Sequence, residues 1–356
     1  MTSISIIIPI YNVAPYVRRC LDSVMTQEVE GASVECILVD DECADESMAI
    51  VTEMLQEYQG AISFRIVTHD RNMGLSMARN TGVMEAQGDY VFFMDSDDNL
   101  MPGALALFVE QATQHPDVDV IIGNALNKKN DQPLHPHLDT AELLDAPDEF
   151  FQRMLRHKIY LYAWNKLIRR TLLTENNILF ISGILYEDQA WSYRLFSCAR
   201  SVLLLPQVTY VYENNPQSIV NTTFTPERAE MTVRSYAVST TYMLDNPPDS
   251  RRYKRNMTVD YLLFMSYFLT NGIDLESKYS MPPEVLYEFR LARGRLMHRS
   301  LRYGRLLLSL FFMLLFTPMS YIQRWRWFRT HYDRIELTVN RLAHATDFLH
   351  SKHRQI

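Results

Sequence analysis

The sequence has no two cysteines at metal-clip or redox spacing. Cys20, Cys36, Cys43 and Cys198 stand singly, in or beside apolar runs. That favours buried free thiols in a reducing compartment over a disulfide framework or a zinc site. Glycine and proline are sparse, 11 and 15 residues in 356, so no long low-complexity segment is expected. No repeat recurs at solenoid periods. The opening stretch MTSISIIIPIYN lacks the length and basic flank of a signal peptide. It reads as a first strand, and the chain is expected to stay in the cytoplasm. There is no G-x-x-x-x-G-K-[ST], and no G-x-G-x-x-G follows a strand. Neither a Walker-type NTPase nor a dinucleotide oxidoreductase is supported.

What is present is a globular composition, 47% hydrophobic and 22% charged, with length for one large domain or two smaller ones. The net charge of −7 hides a split. Residues 290–356 carry thirteen Lys and Arg against three Asp and Glu, a net +10, whereas residues 1–289 carry 22 against 39, a net −17. An acidic body argues against nucleic acid as its partner. A basic tail favours contact with an anionic surface.

In the first 125 residues, apolar runs (SIIIPI, VECILVD, SFRIVTH, DYVFFMD, VDVIIG) alternate with stretches of helical spacing such as Val17, Leu21, Val24 and Met25. Continuous apolar strands separated by helices imply an α/β fold with a mostly parallel sheet covered on both faces. Ligands of such sheets bind beyond the carboxyl ends of the strands. Polar residues cluster there: YN at 11–12, DDECAD at 40–45, DSDDN at 95–99. Residues 126–215 read as a second, less regular half with more strands and a helix starting near Glu187. From Thr225 the pattern is helical to the end, interrupted at DNPPDS and SMPPE.

Three carboxylates, Asp95, Asp97 and Asp98, follow the buried run VFFM. Two of them two residues apart at a strand end can face one hard cation. The plain alternative is a solvated turn that caps the next helix. An EF-hand is excluded, because its sixth and twelfth positions would be Leu100 and Ala106. A phosphatase-type Asp nucleophile would also follow a strand, but no separate phosphate loop is visible. Asp40 and Asp41 could accept hydrogen bonds from a base edge or ribose, or simply start the next helix. Glu187 and Asp188, at the mouth of a helix, suit a general base or plain charge complementarity with the helix N-terminus. Trp164, Asn165 and Lys166 could stack on and orient a sugar-like ligand, or be a buried Trp beside a solvent-facing Lys. His135 and His137, flanked by prolines, read as exposed.

These blocks, in this order over roughly residues 1–215, resemble the bacterial family 2 glycosyltransferases of GT-A fold. IIIPIYN, with Pro9, Tyr11 and Asn12, is similar to the family's opening strand. ILVDDECADES resembles its VDDGSTDxS, departing at Glu42, Cys43 and Ala44. NMGLSMARNTGVMEAQGDYVFFMDSDD follows the long central pattern, including Gly74, Ser76, Ala78, Arg79, Asn80, Gly82 and Gly88. Asp95-Ser96-Asp97 matches its D-x-D, and WNKLIRR and GILYEDQAWSYRL match later blocks of polysaccharide-building members.

The resemblance implies a Rossmann-like sheet with a helical C-terminal region, and a nucleotide-sugar donor, UDP-sugar expected. Pro9, Tyr11, Asn12, Asp41, Arg79 and Asp95 would line the donor site, with Asp41 on the base. Asp97, with Asp95 and Asp98, would hold Mn2+ or Mg2+ on the diphosphate. Asp188, with Glu187, would be the base of an inverting transfer to a glycan or lipid-linked glycan hydroxyl. Trp164, Asn165 and Lys166 would meet the acceptor. Such members build capsule, exopolysaccharide or lipopolysaccharide O-antigen. A processive synthase and a binding protein without turnover are the rivals.

The implied organisation is a donor half (1–125), an acceptor half (126–215), a helical extension (216–289) and a basic, apolar tail (290–356). Within the tail, Leu306–Phe316 has one polar residue in eleven. As a helix it would span about 16 Å, short of the roughly 30 Å hydrocarbon core. Arginines precede it and QRWRWFR, 323–329, follows, which suits a membrane interface, the inner face of the cell membrane being expected, more than an internal core helix. QRWRW also matches the Q-x-x-R-W of processive synthases. It begins 135 residues after Asp188, and single-sugar transfer is expected.

Overall fold

The computed structural model describes residues 2–135, 138–216, 218, 223–248 and 257–302, with 257–259 as backbone only. Elements alternate through the first half: β1 (Thr2–Ile10), α1 (Ala14–Met25), β2 (Ala32–Asp40), α2 (Ser47–Glu57), β3 (Ser63–Thr68), α3 (Leu75–Glu85), β4 (Tyr90–Phe93), β5 (Asn99–Leu100), α4 (Ala104–Gln114) and β6 (Val120–Asn127). Then come β7 (Gln132–Pro133), β8 (Glu142–Leu144), α5 (Pro147–Leu155), β9 (Lys166–Arg169), α6 (Arg170–Glu175), α7 (Glu187–Cys198) and β10 (Val202–Tyr212). Three long helices follow: α8 (Pro226–Asp245), α9 (Met257–Lys278) and α10 (Pro283–Arg302).

The strands form one sheet in the order β3-β2-β1-β4-β9-β6-β10-β5, with β7 on β6 and β8 on β10. The first four are mutually parallel. β9 then runs antiparallel to both β4 and β6, and β6 and β10 are parallel again. The five apolar runs are β1, β2, β3, β4 and β6. β1 is central, and residues 4–10 are all buried, because helices cover both faces of such a strand. Pro9 costs the ladder nothing. The β1–β4 pairing ends at Ile7 and Phe93, so the side to which an N–H at position 9 would point carries no strand.

By internal packing the chain divides into two compact units. One comprises Met1–Phe150, Tyr160–Gly183 and Glu187–Thr223; the other comprises Phe151–Ile159, Ile184–Tyr186 and Phe224 onward. In the second unit, α8 opens with Thr225 as N-cap, its hydroxyl accepting from Arg228 N at 3.2 Å, and Pro226 at the first helical position. Asp260 of α9 accepts from Gln152 and Arg156, at 2.7 and 3.0 Å. Ala292, Leu296 and Ser300 of α10 are buried.

All four cysteines are free, Cys20 and Cys36 fully buried. No helix among the described residues is long and apolar enough to cross a membrane. The apolar segment 306–316 and the QRWRW stretch lie outside the described residues, as does His137. His135 is described, and it corrects the expectation of an exposed ring. It stacks on Tyr160 at 5.3 Å, and burial, then the Lys166 charge, lower its pKa.

Helix α3 lies close on β1, and glycine makes that distance possible. A Cβ at Gly82 would come within 2.2 Å of Ile7 Cγ2, so Gly82→Ala forces the helix off the strand. The expected result is a folded protein destabilised by about 1–3 kcal/mol, read as a lower denaturant midpoint at unchanged m-value.

Candidate active site

The carboxyl ends of β1, β2, β3 and β4 line one rim of the sheet. The polar residues just beyond them are braced together. Asn12 sits at φ +50° and its Oδ1 accepts from Ala44 N and Asp45 N at 2.8 and 3.3 Å. Asp41 is buried. Its Oδ1 is 2.7 Å from His69 Nδ1 and accepts from Met73 N at 2.8 Å; its Oδ2 accepts from Gly74 N at 2.8 Å. Most of its acceptor capacity is therefore spent on the loop that starts α3, which places this carboxylate beneath the rim. Glu42 occupies a left-handed conformation, φ +64°, and accepts from Asn72 N at 2.8 Å. Tyr11 stands out from the rim, 46% exposed.

Beyond β4, the chain turns through Asp95, Asp97 and Asp98, whose ligand oxygens lie within 4.8 Å of one another. Asp98 is buried, its Oδ2 accepting from the Tyr210 hydroxyl and its Oδ1 from Glu213 N, both at 2.8 Å. Asp97 Oδ2 accepts from Asn215 Nδ2 at 2.8 Å. Arg79 takes Asp95 Oδ1 at 2.7 Å. Among the described residues no hydrogen bond reaches Asp95 Oδ2 or Asp97 Oδ1. Burial raises the pKa of Asp97, and the Asp95 charge adds to it. Burial also raises Asp98 well above the usual carboxylate range, reinforced by Asp97 and Asp95. Two oxygens without such a bond, a third carboxylate behind them and a mutual repulsion only partly offset by Arg79 and Arg19 suit a hard divalent cation with an oxygen shell.

Arg79 joins this turn to the start of α7. It is 1% exposed, and its Nη1 donates to Glu187 Oε1 at 2.6 Å and Asp188 Oδ1 at 3.1 Å. Its guanidinium also lies over Phe180, 5.2 Å from the ring centroid. The carboxylates hold it firmly protonated against the cost of burial. Asp188, partly open to solvent, is pushed up to about 7. Burial is the main cause, Glu187 and Asp95 add to it, and Arg79 and Lys166 oppose it. Such a carboxylate is poised to exchange a proton near neutrality.

Trp164, Asn165 and Lys166 are brought close to this site, but as interior residues. Trp164 is 2% exposed and stacks with Tyr210 and Tyr162 at 4.6 and 4.8 Å, so it has no open face for a sugar. Asn165, at φ +58°, donates to Gly123 O and Asn124 O and accepts from the Thr209 hydroxyl. It stitches β9 to β6 and β10. Lys166 is fully buried, its Nζ 4.0 Å from the Tyr160 ring centroid and donating to Tyr162 O, and burial pushes its pKa well down. The expected contact of these three with an acceptor is therefore corrected to a supporting position. What sequence reasoning missed is Tyr210, Glu213 and Asn215, which hold the acidic turn from β10. Their only sequence signal is polar residues at the end of a strand.

Residues 5–176 match the family model described as "Glycosyl transferase family 2". The uncharacterized glycosyltransferase EpsJ of Bacillus subtilis is 31% identical over 238 residues, 65% of this chain and 67% of that protein. Among solved structures, S. aureus TarS 1–349 in complex with UDP superposes with a TM-score of 0.63 at 20% identity, covering 83% of this chain and 80% of that one. The mannosyltransferase PcManGT of Pyrobaculum calidifontis, in complex with GDP-Man and Mn2+, gives 0.53 at 16%, covering 97% and 87%. A mixed sheet with a carboxylate-lined rim, the match to the family model and the likeness to EpsJ agree, and the chain belongs to glycosyl transferase family 2, in its GT-A fold.

Proposed function

We propose that the protein is a metal-dependent, inverting glycosyltransferase. It moves one sugar from a UDP-sugar to a hydroxyl of a glycan or lipid-linked glycan, at the inner face of the cell membrane, in surface-polysaccharide assembly. The observation that carries this reading is the joining of Asp95, Asp97 and Asp98 to Glu187 and Asp188 through one buried arginine. The UDP of one neighbouring structure and the GDP-Man and Mn2+ of the other support a nucleotide-sugar donor and a cation.

The roles follow from the chemistry of each group. Asp95 and Asp97, backed by Asp98, would hold Mn2+ or Mg2+, which supplies positive charge to the departing diphosphate. Tyr11 offers its exposed ring to the base, Asn12 and Asp41 fix the two loops beside it, and Arg79 fixes Asp95. Asp188 takes the proton of the acceptor hydroxyl as that oxygen bonds to the anomeric carbon and the bond to the diphosphate breaks. Glu187 shares Arg79 with it.

Three outcomes test the reading. Asp188 works as the charged form, so kcat/KM falls as pH drops through its pKa near 7 and levels off above it. Glu187→Gln removes a neighbouring negative charge and moves that limb to lower pH, and Asp188→Asn abolishes transfer. Full transfer by Asp188→Asn would sink the base assignment. A second test is thermal. Mn2+ and UDP together should raise Tm more than either alone, by mass action on the folded state, and in Asp97→Ala the gain from UDP should no longer depend on Mn2+. An unaltered metal dependence would remove Asp97 from the site. The third concerns the tail. Because α10 runs to Arg302 with its apolar face packed, the informative cut is removal of 303–356, which should shift the protein from the membrane pellet to the supernatant. Unchanged fractionation would refute the membrane role.

A further inference from the structure

Helix α1 grips the acidic turn with a row of polar side chains. Arg19, Ser23 and Gln27 follow at four-residue steps, the spacing that puts side chains on one side of a helix, with Gln27 just past the helix end. Gln27 Nε2 donates to Met101 O at 3.0 Å, and its Oε1 accepts from Leu105 N at 3.2 Å. Ser23 Oγ accepts from Leu100 N at 3.0 Å. Arg19 Nη2 donates to Asp97 O at 3.1 Å, and its Nε to Asn99 Oδ1 at 3.0 Å. The row follows the chain from 105 back to 97, and Arg19 takes hold of the peptide that joins Asp97 to Asp98.

Arg19 also reaches the residue that follows β10. Its Nη1 is 3.7 Å from Glu213 Oε1, the same oxygen that accepts from Asn99 Nδ2 at 2.8 Å. Glu213 N in turn donates to Asp98 Oδ1 at 2.8 Å. Helix α1, the acidic turn and the end of β10 are thereby closed into one clasp. Only a planar fork can serve several acceptors in fixed directions; an ammonium is a point charge. The Arg19 side chain is 49% exposed, so water screens its charge and the ion pair itself contributes little. What it fixes is position.

We propose that Arg19 is a positioning residue for the cation site: by holding the Asp97–Asp98 peptide it keeps the carboxylates of the turn set for Mn2+ or Mg2+. This rests on the metal-dependent reading above. Groups that orient metal ligands without touching the ion are worth about 10- to 100-fold in affinity, because a loose turn must be ordered when the ion binds. The plain alternative is an exposed counter-charge to three acids. The two differ in sign. A fixed cation beside a cation site repels the metal, so loss of a mere counter-charge tightens metal binding, whereas loss of the clasp weakens it.

The test is Mn2+ binding by the full chain with saturating UDP, read from the loss of the free ion's electron paramagnetic resonance signal. Arg19→Ala should weaken Mn2+ about tenfold or more. Arg19→Lys keeps the charge but not the fork and should weaken it nearly as much. Asn99→Ala changes no charge and should weaken it too. The variant carrying both Arg19→Ala and Asn99→Ala should lose little more than the greater single loss, because the two side chains act as one brace. Alanine is favourable in a helix, so Arg19→Ala stays folded, and Tm without ligands checks this. Unchanged or tighter Mn2+ binding in Arg19→Ala overturns the proposal. So does Arg19→Lys that binds like the wild type, or losses that simply multiply in the double variant. No Mn2+ binding by the wild type with UDP would instead overturn the metal-dependent reading, and this one with it.

Discussion

One buried guanidinium holds the site together. Arg79 faces Asp95 on one side and Glu187 and Asp188 on the other, so a single cation is shared by three carboxylates. Removing any ion from water is costly, and a buried pair repays that cost only with close geometry. Arginine can do this where lysine could not, because its planar fork donates in two directions at once. Each partner needs the others. Without Arg79, Glu187 would be a buried, unpaired charge at the head of α7, and nothing else described would fix Asp95 Oδ1.

The same shortage of positive charge sets the chemistry. Arg79 is the buried cation among five acids, with Arg19 reaching only the carbonyl of Asp97 at 3.1 Å, and the remaining repulsion is not distributed evenly. Asp98 is satisfied by hydrogen bonds from Tyr210 and Glu213, and Asp97 by one from Asn215, but no cation touches either at ion-pair distance among the described residues. Burial is the first cause of their raised pKa values and the neighbouring carboxylates the second, and such a turn suits a divalent ion. On the other side, burial lifts Asp188 to about 7, with Glu187 and Asp95 adding to the rise and Arg79 and Lys166 opposing it. In the proposed transfer, a base placed beside a cation alone would be too weak to take a hydroxyl proton.

Much of this was legible in the sequence. Five apolar runs became β1, β2, β3, β4 and β6, the D-x-D fell at the end of β4, and Glu187 began a helix. These features are local, carried by periodicity and by residues close in the chain. Arg79 was marked as a donor-site residue by its place in the family pattern. Its bridging of partners 16 and more than 100 residues away is a tertiary fact that no spacing encodes. Trp164 and Lys166 were misjudged for a related reason. An aromatic beside an amide and an ammonium reads as a binding triplet, yet whether it faces solvent depends on what β10 and Tyr160 place against it. The departure at Glu42 also became intelligible only in three dimensions. The family pattern has Gly there, and the backbone keeps the left-handed conformation that favours Gly. The Glu side chain adds a bond to Asn72 N that glycine cannot make.

The direction of β9 explains how so many groups reach one rim. In a wholly parallel sheet, only residues that follow strands lie at the carboxyl edge. β9 is antiparallel between β4 and β6, with Lys166 opposite Ile122 and Leu167 opposite Phe92, so the residues that precede it arrive at that edge instead. This inversion brings Trp164 onto Tyr210, which bonds Asp98, and Asn165, whose N donates to Phe93 O at 3.2 Å, continues the edge. The parallel strands therefore supply the loops that carry Asn12, Asp41 and Asp95, and the reversed β9 brings the residues that precede it to the same edge. A mixed sheet lets residues that follow strands and residues that precede one meet at the same rim.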